Sequence, residues 1–244
     1  MRDFVAQFRG SLLGPFWAVL SPLLIVACYT FVFTFVFTPR WPTDSAAPFP
    51  LLLFAGFIAH SILTDTMSRS VSIITNNSNL VNKVVFPLWI LPATVVISSF
   101  GNSFFSLAIL LILGAIMAAP FCWTMVFWPI IMLPFVMLCV AIALVLAALG
   151  VFLRDLKGII PLVTTGLLFV GPVLYPSSAL PEAYRALLFL NPLTLIIEEG
   201  RGCLFDCRAP DFLALALYAS VAALSFALGL KLFKSLSRSF ADVT

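Results

Sequence analysis

The stretch that decides the fold is residues 84–153, which read VVFPLWILPATVVISSFGNSFFSLAILLILGAIMAAPFCWTMVFWPIIMLPFVMLCVAIALVLAALGVFL. These 70 residues, between Lys83 and Arg154, contain no charged side chain. As an α-helix at about 1.5 Å per residue, the run would be about 105 Å long, against about 30 Å for the hydrocarbon core of a bilayer. A soluble protein of 244 residues has no interior large enough to bury it. The chain is therefore expected to cross a membrane at least twice.

The rest of the chain follows the same pattern. It is 62% hydrophobic and 9% charged, with a mean hydropathy of +1.16, as is typical of a polytopic membrane protein. A membrane offers no water to the backbone, so the spans are expected to be helices and the fold all-α. Gaps between charged residues, with a split of the 70-residue run near residues 118–122, predict six spans in a single transmembrane domain over residues 1–244: Leu12–Phe37, Leu51–Met67, Leu88–Met117, Trp123–Leu153, Ile159–Tyr175 and Phe212–Phe233.

The positions of the basic residues predict the orientation. Six spans place both termini on one side, and loops rich in Lys and Arg are typical of the cytoplasmic side. The termini and the loops after spans two and four carry nine of the 13 Lys and Arg. Both termini are therefore expected in the cytoplasm. The first span is too long for a signal-peptide core and lacks a cleavage pattern, so we expect it to be retained.

The chemistry that the sequence lacks argues against an enzyme. It contains no Gly-x4-Gly-Lys-Ser/Thr phosphate loop and no His or Cys cluster with metal-ligand spacing. His60 is the only histidine. It could line a pore, although we favour a structural hydrogen bond to a neighbouring helix. Glu198 and Glu199 are adjacent and point to different faces of a helix, which weakens a paired-carboxylate interpretation. We expect no metal or cofactor bound by this chain.

The loop between spans five and six, residues 176–210, is the longest and lies on the outer side. Ala186–Ile197 carries no charge and is interrupted by Asn191-Pro192. Two short helices dipping into the outer leaflet would explain this pattern, and a helix lying on the surface would explain it equally well. Cys203 and Cys207 also lie here. They could be bonded to each other if the loop faces an oxidising space, or both could be free thiols.

Three other patterns could serve a transport path or a partner. Asn102 and Ser106 share a face of span three, which suits helix packing or a hydrated conduit. Phe31 and Phe35 share a side of span one, where they could contact lipid or stack on sugar rings. The inner loop at residues 72–87 mixes asparagines with spaced aliphatic residues. It resembles a short amphipathic helix that contacts another protein, although a plain interfacial connector is the alternative.

Five sequence motifs, taken in their order along the chain, resemble those of one protein family. Residues 9–17 read RGSLLGPFW, 79–87 read NLVNKVVFP, 151–155 read VFLRD and 171–176 read GPVLYP, followed by Pro181, Asn191-Pro192, Glu198 and Arg201. On the predicted topology, these motifs are similar to those of ABC-2 type permeases that export bacterial cell-surface polysaccharides such as O-antigen, teichoic acid and capsule. The resemblance covers essentially the whole chain. The family usually has more residues before Arg9, so the N-terminal interfacial helix is reduced or the start is truncated.

The resemblance implies a function, a location and partners. It implies a homodimer in the bacterial inner membrane, docked on two copies of a cytoplasmic ABC ATPase that uses ATP and magnesium. This chain would be the non-enzymatic permease that moves lipid-linked polysaccharide outward, with no nucleic-acid partner. An N-terminal interfacial helix and a cytoplasmic coupling helix would receive the ATPase. The residues implied at that interface are Arg9, Asn79, Asn82, Lys83, Phe86, Arg154 and Asp155. Short outer helices between spans five and six would gate the path, with Phe31, Phe35, Asn102, Asn191, Pro192, Glu198 and Arg201 as candidate residues.

Other functions remain open at this point. An ABC-2 exporter of lipids or drugs would have the same architecture. A membrane-embedded transferase acting on lipid-linked sugars needs acidic or histidine residues clustered at one membrane face. Asp65 and Glu198 fall on opposite faces, which disfavours that class. A passive channel or scaffold subunit is the third possibility, and transport without ATP would identify it.

Overall fold

The computed structural model describes residues 17–32, 47–77, 87–117, 119, 122–179, 181, 188 and 190–240. Within these ranges the regular structure is helical, with no strand. The seven α-helices there are α1 (Trp17–Phe31), α2 (Phe49–Ile73), α3 (Ile90–Ile116), α4 (Trp128–Phe152), α5 (Leu156–Val170), α6 (Thr194–Phe205) and α7 (Phe212–Leu236). Short 3-10 helices lie at Thr75–Asn77, Trp123–Phe127, Ser177–Ala179 and Ser237–Ser239.

Four helical segments are long and apolar enough to cross a membrane, and they match four of the predicted spans. They are Phe49–Ile73, Ile90–Ile116, Trp123–Phe152 and Phe212–Ser239. The 70-residue run is interrupted where the sequence predicts, because α3 ends at Ile116 and the next helical turn begins at Trp123. The all-helical, membrane-spanning class is confirmed, and the six-span topology stays a prediction.

The fifth span differs from its predicted bounds, and the first span is described only in part. The described helix α1 covers Trp17–Phe31, whereas the prediction ran over Leu12–Phe37, and the remaining positions lie outside the described residues. Helix α5 has 15 residues and ends at Val170, not at Tyr175. The Tyr175 hydroxyl donates to the carbonyl of Phe169 at 2.8 Å and to that of Val170 at 3.2 Å. Since Gly171-Pro172 follows, the chain leaves the helix there and Tyr175 satisfies its last carbonyls.

The chain forms two compact units, each assembled from three segments. The first unit comprises residues 1–60, 101–128 and 168–210, and the second comprises 61–100, 129–167 and 211–244. The prediction of one transmembrane domain over residues 1–244 stays a prediction.

The core of the second unit joins the ends of three helices. Its buried residues are Ile74, Leu144, Ala147, Ala148, Val151, Phe233 and Phe240. The rings of Phe233 and Phe240 meet edge to face, with centroids 5.5 Å apart. Two glycines of the unit mark close helix contacts: a Cβ on Gly150 would lie 2.0 Å from the Val71 carbonyl oxygen, and one on Gly229 would lie 3.0 Å from that of Ala141. Small residues let membrane helices approach in this way.

The first unit is built around α6 and the N-terminal half of α2. Leu51, Leu52, Leu53 and Phe54 are four consecutive buried residues at the start of α2. Val173 and Leu174, just after α5, are buried too. A helix segment that is apolar on all sides is surrounded by apolar groups and has no face turned to water. This packing encloses the short helix α6 and fixes its polar side chains.

Candidate functional site

Helix α6 is a short helix covered by protein. It has 12 residues, about 18 Å at 1.5 Å per residue, which is too short to span a bilayer. Ten of the 12 are buried. This burial argues against an exposed surface helix for α6 itself, whereas residues 182–187 and 189 of the predicted pair of short helices lie outside the described residues. Non-spanning backbone at such a position is tolerated when protein covers it.

The turn before α6 is fixed by the predicted Asn-Pro pair. The side chain of Asn191 is buried, and its Oδ1 accepts from the Leu193 backbone N–H at 3.0 Å. One residue later, the Thr194 hydroxyl donates to the Leu188 carbonyl at 2.6 Å. Pro192 has no N–H to satisfy between them. Asn191 and Pro192 therefore set the start of α6, which is a structural role within the predicted gate region.

Arg201 is the central polar residue of the first unit. Its guanidinium donates to three backbone carbonyls: Nε to Leu52 at 2.7 Å, Nη1 to Pro172 at 2.5 Å and Nη2 to Val173 at 2.9 Å. We call this arrangement the Arg201 carbonyl cluster. It joins α6 to the start of α2 and to the turn after α5. Arginine suits the position because its planar group presents several donors in fixed directions.

Gly56 makes room for this cluster. A Cβ at this position would lie 2.6 Å from Nη2 of Arg201 and 3.3 Å from the Val173 Cα. The first distance is shorter than any van der Waals contact, so any side chain at position 56 would displace the guanidinium. Glycine at this position thus allows the close approach of α2, α6 and the segment after α5.

Burial also changes the acid–base behaviour of the cluster. Desolvation lowers the pKa of Arg201 to about 9, and the nearby carboxylates of Glu198 and Asp206 act in the opposite direction. The side chain stays cationic at neutral pH. Desolvation raises the pKa of Asp206, while Arg208 and Arg201 lower it. Glu198, which is half-buried, is thus an electrostatic partner of the buried Arg201 on the same helix.

A disulfide ties the end of α6 to the connection before α4. Cys207 is bonded to Cys122, and Cys203 is a free, buried thiol. Both sequence hypotheses were wrong: Cys203 and Cys207 are not bonded to each other, nor are both free. Cys207 has a left-handed backbone, φ 53°, which turns the chain sharply after α6. The sulfur of Cys207 thus reaches Cys122 rather than the cysteine one helical turn before it.

Two further contacts hold the same junction. The Thr124 hydroxyl donates to the Cys203 carbonyl at 2.7 Å, and both residues are buried. Arg208 Nη2 lies 3.1 Å from Oε1 of Glu199, whose side chain is only 8% exposed. The sequence argued against Glu198 and Glu199 acting together as a carboxylate pair, and in the structure Glu199 forms an ion pair with Arg208. The adjacent carboxylates do serve different faces: Glu199 pairs with Arg208, and Glu198 acts on Arg201.

The disulfide gives a direct prediction for thiol labelling. Denatured, unreduced protein is expected to take up three maleimide tags, on Cys28, Cys139 and Cys203, and five after reduction. Replacing both Cys122 and Cys207 by serine should lower stability by about 2 kcal/mol, the low end for a disulfide, because inserted helices already restrict the unfolded chain. Thermal unfolding in detergent measures this loss. The Cys203→Ser variant is the control, and it should take up two tags before reduction and four after it. Five tags on unreduced wild-type protein would contradict the disulfide.

A separate polar network lies in the second unit. Asp65 Oδ2 accepts from the Ser99 hydroxyl at 2.5 Å and from Arg69 Nη1 at 3.1 Å. Arg69 also reaches the Ser98 hydroxyl at 3.3 Å. Part of the serine-rich face of α3 thus binds an ion pair on α2. Helix packing explains Ser98 and Ser99 directly, because ionisable groups within membrane helices require polar partners.

The predicted ATPase interface is described only in part. Arg154 and Asp155 are exposed in the turn between α4 and α5, where the Asp155 carbonyl accepts from the backbone N–H groups of Gly158 at 2.9 Å and Ile159 at 3.2 Å. They follow α4, as the sequence pattern places them, and their position at an inner, ATPase-facing boundary stays a prediction. The other residues of this set lie outside the described residues: Arg9, Asn79, Asn82, Lys83 and Phe86.

The predicted path residues are not gathered in one place. Phe31 ends α1 and is 61% exposed, while Phe35 lies outside the described residues. Asn102 lies on α3 with its Oδ1 buried and without a hydrogen-bond partner among the described atoms. Asn191, Pro192, Glu198 and Arg201, by contrast, belong to α6 and the turn before it. The site that the structure assembles is therefore the α6 region.

Comparisons with known proteins agree with this architecture. The sequence profile of the ABC-2 type transporter family matches residues 1–205. A protein named O-antigen export system permease protein RfbA, from Myxococcus xanthus, is 30% identical over 99% of this chain and 92% of its own. Two proteins of the same name from Klebsiella pneumoniae are 23% and 24% identical over the same shares. The chain therefore belongs to the ABC-2 type transporter family.

Proposed function

We propose that this chain is the permease subunit of an ATP-driven exporter that moves a lipid-linked, O-antigen-like polysaccharide out of the cytoplasm. The observation that carries the proposal is the match over 99% of the chain to three proteins named as O-antigen export permeases. Helices long enough to cross a membrane and the covered α6 fit a transport subunit.

The partners follow from the family. The exporter would be a homodimer of this chain on two copies of a cytoplasmic ATPase, which would bind ATP and magnesium. The second copy would cover part of the apolar surface of α5, where Leu162 is 74% exposed and Phe169 is 61% exposed. Asn79, Asn82, Lys83 and Phe86 would form the coupling helix, with Arg9, Arg154 and Asp155 nearby.

Two independent observations support the proposed orientation of the chain across the membrane. Basic residues favour cytoplasmic termini. The Cys122–Cys207 disulfide joins the loop after span three to the loop after span five, and disulfides persist in oxidising compartments rather than in the cytoplasm. Both arguments support an orientation in which these loops lie on the outer face of the bacterial inner membrane, with the termini and the coupling segment inside.

Export coupled to the partner ATPase tests the function. Cells lacking this gene should retain the glycan in the cytoplasm, and plasmid-borne wild type should restore it to the surface. The purified complex should show ATPase activity that the lipid-linked glycan stimulates. Replacing Asn82 and Lys83 together by alanine should uncouple hydrolysis from export while leaving the protein in the membrane, and a Ser235→Ala variant on α7 should export normally. Normal surface glycan in the deletion strain would refute the proposal.

A further inference from the structure

The second unit contains a cavity beside the start of the inner loop at residues 72–87. Its volume is about 280 Å³, and it lies between the C-terminal end of α2 and the N-terminal end of α5. The polar part of its lining consists of Ser68, Ser72, Asn76 and Lys157. Ile160 and Pro161 of α5 supply an apolar wall.

Each polar side chain of the lining can donate a hydrogen bond, and the lining contains no carboxylate. Ser68 and Ser72 are four residues apart on one face of α2, so their hydroxyls lie one above the other. Asn76 Nδ2 donates to Ser72 Oγ at 3.3 Å, which leaves the Ser72 proton available for another acceptor. The ammonium of Lys157 is exposed and has no carboxylate within salt-bridge distance in the described part of the chain. Such a set of groups favours an anion.

The backbone around the cavity does not oppose an anion. The carbonyls at the end of α2 would repel it, yet two of them are already occupied. Thr75 Oγ1 donates to the Ser72 carbonyl at 3.1 Å, and Asn77 Nδ2 donates to the Ile73 carbonyl at 2.8 Å. The opposite wall includes Lys157, which is in the first turn of α5, where the helix dipole adds positive potential.

The polar lining and the apolar wall of the cavity together indicate which kind of anion it binds. A free ion in water needs no apolar surface beside it, whereas the phosphate head of a lipid carries a hydrocarbon chain. The cavity lies at the ends of two apolar helices, the level at which lipid phosphates lie in a bilayer. We propose that this cavity binds the phosphate group of a membrane lipid, with Lys157, Ser68 and Ser72 as donors. The lipid is either the carrier of the exported glycan or a bilayer phospholipid, and the carrier alternative rests on the proposed function.

Native mass spectrometry of the full-length protein released from phosphatidylcholine nanodiscs tests the cavity. One arm titrates a polyprenyl diphosphate and the other titrates phosphatidylglycerol. Wild type should retain at least one of them, and the arm that binds more tightly identifies the source. Lys157→Gln should weaken that binding about tenfold, the usual effect of losing one charge-assisted hydrogen bond. Lys157→Arg should bind as wild type does, and Ser72→Ala, which keeps the charge, should bind several-fold more weakly.

The matched control is Lys234→Gln. Lys234 is an exposed lysine in the last turn of α7, away from the cavity, so its loss removes the same charge without changing the donors. Equal weakening by both glutamine variants, or unchanged binding in Lys157→Gln, would overturn the proposal. Retention of neither lipid by wild type would overturn it too. Glycan export measured on the same variants keeps the two hypotheses apart, since wild-type export with no lipid bound rejects the cavity proposal alone.

Discussion

Replacing Arg201 by alanine is expected to abolish export and to destabilise the protein by about 3 kcal/mol or more. The substitution removes the donors of three backbone carbonyls, those of Leu52, Pro172 and Val173. A buried polar group left without a partner costs about 1–3 kcal/mol. Arg201 is 6% exposed, so water reaches the orphaned oxygens poorly. Thermal unfolding in detergent should show a midpoint lower by about 10 °C.

Two further variants at position 201 and one control separate the effects of charge, side-chain volume and hydrogen-bond geometry. Arg201→Met keeps most of the volume but none of the donors, so it should be nearly as damaging as alanine. Arg201→Lys keeps the charge but cannot reach three carbonyls at once, and it should fall between wild type and alanine. Arg238→Ala removes an exposed arginine near the C-terminus and should change stability by less than about 0.5 kcal/mol.

Gly56 tests the same cluster from the opposite side. Gly56→Ala adds only a methyl group, yet that group would displace the guanidinium, so it should lower the unfolding midpoint in the same direction as Arg201→Ala. In the double variant the two losses should be far from additive, because both remove one cluster. Wild-type stability in Arg201→Met would show that the carbonyl contacts contribute little.

The membrane-spanning helices could be predicted from the sequence because hydropathy is a local property. A charge anywhere in a span is costly, so gaps between charges reveal the apolar segments. The break near residues 118–122 carries no charge, and Pro120 together with the length of the run indicated it. The end of α5 was harder to predict, because the segment Gly171–Tyr175 is as apolar as the helix before it. What ends the helix is backbone geometry at Gly171-Pro172 and the hydroxyl of Tyr175, and hydropathy records neither.

In the α6 region, the contact partners of the functional side chains could not be predicted from the sequence. The resemblance pointed to Arg201, but its partners are backbone carbonyls, which every residue has and which no sequence pattern distinguishes. For the disulfide, proximity in sequence favoured Cys203, four residues from Cys207. The true partner, Cys122, is 85 residues away. The predicted topology could have suggested it, since it places the loops that carry Cys122 and Cys207 on the same face.

Gly150→Ala is the second substitution expected to have a large effect. The added Cβ would lie 2.0 Å from the Val71 carbonyl oxygen and 2.9 Å from its carbon. These are backbone atoms within helix α2, so they cannot rotate away as a side chain would. To accommodate the methyl group, α4 and α2 would have to separate beside the buried core of the second unit. Overpacking typically costs about 1–3 kcal/mol, and a rigid backbone contact should place this variant at the upper end or beyond.

Gly166→Ala on α5 is the matched control for this prediction. Apart from its own helix backbone and chain neighbours, no atom of the described residues lies within 4 Å of the position of its Cβ, so the same substitution meets no steric barrier from them. Alanine favours a helix over glycine by up to about 1 kcal/mol, so this variant should be as stable as wild type or slightly more stable. Unfolding midpoints and the amount of protein in the membrane measure both effects. Equal stability of the two variants would mean that α2 and α4 are not in backbone contact at Val71, and the close approach would then have to be abandoned.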